Sequence, residues 1–254
     1  MPRVVSAGHW IAKPEKFFPF GRFAGSAGQL RSAVGDDLEA GADWIKVIAD
    51  WAPNDEATFS TDELRSVVDQ AHRRGKRVAA HAQGSGARNA VSAGVDTIEH
   101  GFHLDDGTIA LMAGRTTLVA TLQPLATFLD YGSYGGRFAE RRPFVEATVE
   151  AARDSVRRAH RAGVRVATGT DFGGPNRSGY LAREVELLVS AGLKPHEALG
   201  AATWVGGEVL GVPHAGTLDE GAPADLVAID GDPLSDPAAL WRVAAVIRGG
   251  VRIS

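Results

Sequence analysis

The chain has no cysteine among its 254 residues. That excludes disulfide staples and thiolate metal sites, and leaves imidazole and carboxylate as the strong metal-binding groups. It also lacks a basic excess: 27 Lys plus Arg stand against 31 Asp plus Glu, a net charge of -4, so composition provides no field for nucleic acid. No apolar run approaches the roughly 20 residues that span a bilayer, and the opening MPRVVSAGHW lacks the basic-then-apolar order of a secretory signal. No GxSxG elbow occurs, and GSGARN lacks the glycine spacing of a dinucleotide fingerprint. The expectation is a soluble, cytoplasmic protein that acts on a small molecule, with neither membrane nor nucleic acid as partner.

What is present is a repeated punctuation. Ala40-Gly41, Arg74-Gly75, Ala93-Gly94, Ala113-Gly114 and Ala162-Gly163 are each followed by a β-branched or apolar run. Glycine accepts the left-handed backbone just past a helix end, so each pair reads as helix stop, then strand. Between Ser60 and Gly75, Ser60 and Glu63 are spaced as a capping box, with Leu64, Val67, Val68 and Ala71 forming one apolar face. Strands are expected at Val4–Val5, Trp44–Ile48, Val78–Ala80, Val95–Ile98, Thr117–Ala120 and Val164–Ala167. A long helix is expected over 142–162, with Pro143 in its first turn. The alternation predicts an α/β protein with a parallel sheet, barrel or doubly wound. Past Trp204 the short apolar runs between Gly, Pro and Asp turns predict a few antiparallel strands. DYGSYGG, at 130–136, reads as a mobile loop near the sheet's rim.

Four residues end apolar runs: Lys46 in WIKVIAD, His81 in RVAAHAQG, His100 in TIEHG and Asp171 in VATGTDFGG. If those runs are neighbouring parallel strands, all four side chains gather at one rim, where a divalent metal can be held. Each also has a plainer reading. A strand-end histidine is more often a hydrogen-bonded structural residue, and Asp171 has the chemistry of a helix cap. Lys46, a cation inside an apolar run, is explained by a salt bridge to Asp50 or Asp43. A Schiff-base role for its amine is a further alternative. His103 is placed at the mouth or against Asp105, and His9, His72, His160, His196 and His214 have no catalytic part in this reading. Trp51, Tyr131, Tyr134 and His9 are candidate pocket residues.

In combination and order, GADWIKV, AAHAQG, TIEHG, TGTDFGG and the ending GTLDEGAPADLVAIDGDP resemble the amidohydrolase superfamily, in its imidazolonepropionase-like and prolidase-like branch. The resemblance implies a (β/α)8 TIM-type barrel and metal-assisted hydrolysis of amide or ester bonds. It implies Lys46 as a carboxylated lysine, His81 and His100 as metal ligands, and Asp171 as ligand and catalytic proton acceptor. The expected cofactor is a divalent metal, zinc, as one ion rather than two. One element of the family pattern is absent: no His-x-His pair occurs among the eight histidines. About six of eight strands are therefore expected, in an incomplete barrel over residues 1–203 with a C-terminal helix and β-sandwich segment over 204–254. A homo-oligomer or a complementing N-terminal segment is the expected partner, and an inert fragment is the alternative reading.

Overall fold

The computed structural model describes residues 4–14, 21–50, 56–130, 136–171, 180–212 and 214–254. They belong to two compact units, Met1–Val119 with Arg161–Arg165, and Ala120–His160 with Val166–Ser254.

The first unit alternates as the glycine punctuation requires. Its elements are β1 (Trp10–Ala12), β2 (Arg22–Phe23), α1 (Ala27–Glu39), β3 (Trp44–Ile48), α2 (Thr61–Arg73), β4 (Arg77–Ala82), α3 (Gly84–Ala93), β5 (Thr97–His100), α4 (Asp106–Met112) and β6 (Thr117–Ala120). The strand order is β2-β1-β3-β4-β5-β6, and neighbouring strands in it pair in parallel. Lys46 lies beside Ala79, Ile48 beside His81, His81 beside Glu99, and Ala82 beside His100. Alternation along the strands turns Ile45, Val47, Ala80, Ile98 and Leu118 to one face. All five are 0% exposed, and at about 1.5–3 kcal/mol for each large side chain this face carries much of the unit's stability. The opposite face holds Lys46, His81 and Glu99, all partly exposed.

Helix α2 forms as its sequence dictates. Ser60 Oγ accepts from Glu63 N–H while Glu63 Oε2 accepts from Ser60 N–H, and Leu64, Val67, Val68 and Ala71 are buried. Other expectations need correction. Val4–Val5 is not a strand: Val4 is exposed, and the sheet begins at Trp10. β2, two residues long, is too short to show a period. β5 starts at Thr97 because Val95 N–H still bonds Ala90 C=O at the end of α3.

The second unit contains α5 (Leu122–Asp130), α6 (Gly136–Arg161), β7 (Val166–Thr168), α7 (Leu181–Ser190), α8 (Pro195–Ala202) and α9 (Trp204–Leu210). β7 begins two residues later than expected. α6 begins before Arg142, so Pro143 lies inside the helix rather than in its first turn, where it removes one backbone donor. Most of the DYGSYGG loop, with Trp51, Tyr131, Tyr134 and the Phe172-Gly173-Gly174 run, lies outside the described residues. The C-terminal strands β8 (Leu226–Ile229), β9 (Val243–Arg248) and β10 (Val251–Arg252) form the expected antiparallel sheet, with β9 central. A 3-10 turn at Pro237–Trp241 ties this region to α7, where Trp241 Nε1–H donates to Glu186 Oε1 at 2.7 Å. The α/β class therefore holds, and the seven strands that precede Asp171 among the described residues suit an incomplete (β/α)8 barrel. Among the described residues, no helix is long and apolar enough to cross a membrane.

Glu184 of α7 is fully buried and holds the start of α5, with Oε1 accepting from Leu122 N–H at 2.9 Å and Oε2 from Gln123 N–H at 2.7 Å. Burial raises its pKa to about 8, against the lowering effect of those two backbone donors. A folded-state value above the unfolded 4.5 means that the stabilisation is complete below about pH 4.5 and is lost as pH rises through about 8. A Glu184→Gln variant turns an amide NH2 toward one of the two donors. Chemical denaturation should find it less stable than the parent at pH 5 by about 1–3 kcal/mol, with the gap narrowing by pH 8.5. A gap that widens with pH contradicts this assignment.

Candidate active site

Three of the four expected residues meet in the first unit. Parallel pairing of β3, β4 and β5 aligns the strands' C-terminal ends, and Ala49 N–H donates to His81 C=O at 2.9 Å, carrying the β3–β4 pairing one residue further. His81 and His100 lie edge to face, with ring centroids 4.6 Å apart and planes at 70°. The Phe102 ring also lies near His100, with centroids 5.7 Å apart and planes at 48°.

Register alone does not produce this contact. His100 pairs with Ala82, and strand alternation turns that position away from His81. At His100, however, φ is +71°, which swings Cβ to the other side of the chain. Glu99 C=O accepts from Gly101 N–H at 3.0 Å, so His100 is the centre of a γ-turn of the rarer, strained, positive-φ form. Such backbone costs on the order of 1–3 kcal/mol. Gly101 continues it at φ +62°, and a Cβ there would clash with Leu118. The His-Gly pair in TIEHG thus turns the imidazole onto the face that carries His81.

Electrostatics sets the protonation state. Burial lowers the His81 pKa to about 3, with the positive charge of Lys46 adding to the effect. His100 is held well below the usual imidazole range by burial first, then by His81 and Lys46. Both rings are therefore neutral near pH 7 and carry a lone pair, the form that binds a metal. The imidazole pair fits a borderline divalent ion such as zinc. The ammonium of Lys46 does not, since it repels a cation. Among the described residues, no group of three His, Cys, Asp or Glu side chains is placed to hold a metal.

Asp171 belongs to the second unit, where it follows β7 in a left-handed conformation with φ +45°. Of the two carboxylates considered as counter-ions for Lys46, Asp43 Oδ2 accepts from Ser6 N–H at 3.0 Å and Asp50 Oδ2 from Gln83 N–H at 2.5 Å. Asp105 caps α4 through Thr108 N–H at 2.6 Å. His72 and His160 pair with Asp96 and Glu197, as structural histidines do. Sequence reasoning passed over Glu99, which pairs with His81 on the same face and whose Oε1 accepts from Thr97 Oγ at 2.5 Å. The signal was the i, i+2 spacing of Thr97 and Glu99, which has meaning only once the register is known.

The sequence model described as the amidohydrolase family matches residues 5–253. An uncharacterised protein of Mycobacterium tuberculosis is 35% identical over 257 residues, covering 98% of this chain and 69% of that protein. Ochratoxinase of Aspergillus niger is 34% identical over 222 residues, covering 82% of this chain and 45% of the enzyme. The crystal structure of A. niger ochratoxinase superimposes with a TM-score of 0.83 at 26% identity, over all of this chain and 66% of that one. A Xaa-Pro dipeptidase crystallised with methionine in its active site gives 0.82 at 28% identity, over 91% and 59%. The chain thus spans between about half and two thirds of these proteins.

A depressed folded-state pKa places His81 on the opposite side of the linkage from Glu184. Its contribution to stability is present above the unfolded value of 6.5 and is lost as pH falls toward about 3. In the metal-free protein, the His81 imidazole signals should stay unchanged from pH 8 down to about pH 5. A midpoint near 6.5 would show a solvated ring and refute the buried pair.

Proposed function

We propose, from the premise that this chain belongs to the amidohydrolase family, that it serves a hydrolase acting on amide or ester bonds through metal-activated water. The observation that carries the reading is the neutral imidazole pair at the ends of β4 and β5, beside a strand lysine. His81 and His100 would hold the ion. Lys46 would complete the set once its amine, in neutral form, has taken up carbon dioxide, because a carbamate replaces a repelling cation with an oxygen ligand. The metal, one zinc ion in this reading, would supply a water of lowered pKa and a polarised scissile carbonyl, and Asp171 would be the proton acceptor. The name Xaa-Pro dipeptidase, borne by a similar structure, supports C–N bonds as the first class to try.

The rival reading is an inert rim that keeps the strand-end residues without a complete ligand set. One observation favours it: among the described residues, no third His, Asp or Glu joins the pair.

Metal analysis and a panel of dipeptides, lactams and esters separate the two. The hydrolase reading expects bound zinc and turnover that chelation abolishes. His81→Ala and His100→Ala should each lower kcat/KM by about 10²–10³-fold, the scale of losing one preorganised electrostatic contact. A zinc-supplemented protein that neither retains metal nor turns over any of the panel would establish the inert reading.

A further inference from the structure

Asp50 has no role in the site so far, yet it is built into it. Its side chain is 1% exposed, and a buried carboxylate is costly unless polar groups hold it. Oδ2 accepts from Gln83 N–H at 2.5 Å. Gln83 is the N-cap of α3, makes no side-chain cap hydrogen bond, and is followed by a first turn without an acidic residue. Asp50 therefore supplies, from the segment that follows β3, the negative charge that the start of α3 lacks.

That capping does not account for Oδ1, which lies 3.8 Å from Nε2 of His81. The backbones of both residues are fixed. Ala49 N–H donates to His81 C=O at 2.9 Å, Thr58 N–H to Ala49 C=O at 2.8 Å, and Asp50 pairs with Ala57 in a short antiparallel bridge. The space is reserved as well, since a Cβ at Gly86 would overlap the Asp50 carboxylate. A carboxylate facing one imidazole nitrogen favours the tautomer with the proton on that nitrogen, and so decides which nitrogen keeps the lone pair.

We infer that Asp50 is a positioning residue for His81, its carboxylate fixing the imidazole with the proton on Nε2 and the lone pair on Nδ1. What that lone pair is used for rests on the hydrolase reading. The tautomer does not, so the two fail separately.

The test is the nitrogen NMR of 15N-imidazole-labelled, metal-free protein. The parent should show His81 protonated on Nε2. In Asp50→Asn the amide oxygen is required by Gln83 N–H, which turns the NH2 toward the ring and should reverse the tautomer. Gly86→Ala keeps the carboxylate but displaces it, and should give a mixture. Zinc affinity should fall about 10–100-fold in both variants, the usual effect of removing an outer partner of a metal-binding histidine. Tautomer changes in a protein that binds no zinc would support the role of Asp50 and count against the hydrolase reading alone. A parent ring protonated on Nδ1, or a folded Asp50→Asn with the parent's tautomer, would overturn the inference. If Asp50→Asn does not fold, the parent and Gly86→Ala decide it.

Discussion

The site depends on the parallel ladder joining β3, β4 and β5. Because parallel strands end on the same side, a residue that closes one strand becomes a neighbour of the residue that closes the next, whatever their separation in sequence. The pairing of Ile48 with His81 and of Ala82 with His100 fixes that relation. A slip of one residue would send Ile45, Val47 and Ala80, all wholly buried, to the opposite face. The apolar face thus enforces the register, and the register delivers Lys46 and His81 together to the opposite face.

Burial at the end of the ladder decides the chemistry. Each imidazole is surrounded by enough protein to disfavour its charged form, and Lys46 adds to the effect on both. The outcome is a pair of neutral donors beside an amine whose own charge opposes any cation they would bind. In the proposed reading a carbamate at Lys46 would resolve that conflict, since adding carbon dioxide reverses the sign of the charge at one of three adjacent positions.

Much of this was legible in the sequence because it rests on short-range signals. The capping box at Ser60 and Glu63, the glycines after the helices, and the apolar runs at Trp44–Ile48 and Thr117–Ala120 determine local structure by themselves. The same runs ending in Lys46, His81 and His100 pointed to a shared rim. What escaped notice required a partner strand. Glu99 shares a face with His81 only through the β4–β5 register. Asp50 was considered only as a counter-ion for Lys46, four residues away, and the fold also places it against Gln83 and His81. β2 and the start of α6 were missed for another reason: a two-residue strand has no period to read, and a proline within a helix imitates a beginning.

The left-handed backbone at His100 adds an argument that neither register nor burial provides. A regular strand would have turned this ring toward the helices, where an imidazole needs a hydrogen-bonding partner and has no use as a donor to the site. The chain instead adopts a strained turn and follows it with a glycine, because a side chain at that position would meet Leu118. The turn's hydrogen bonds, from Gly101 N–H to Glu99 C=O at 3.0 Å and to Ala82 C=O at 3.2 Å, hold it without removing the strain. Strain of on the order of 1–3 kcal/mol is a sizeable share of a domain's margin of about 5–15 kcal/mol. Stability alone would favour the regular strand, so the strained turn supports the role proposed for the His100 ring.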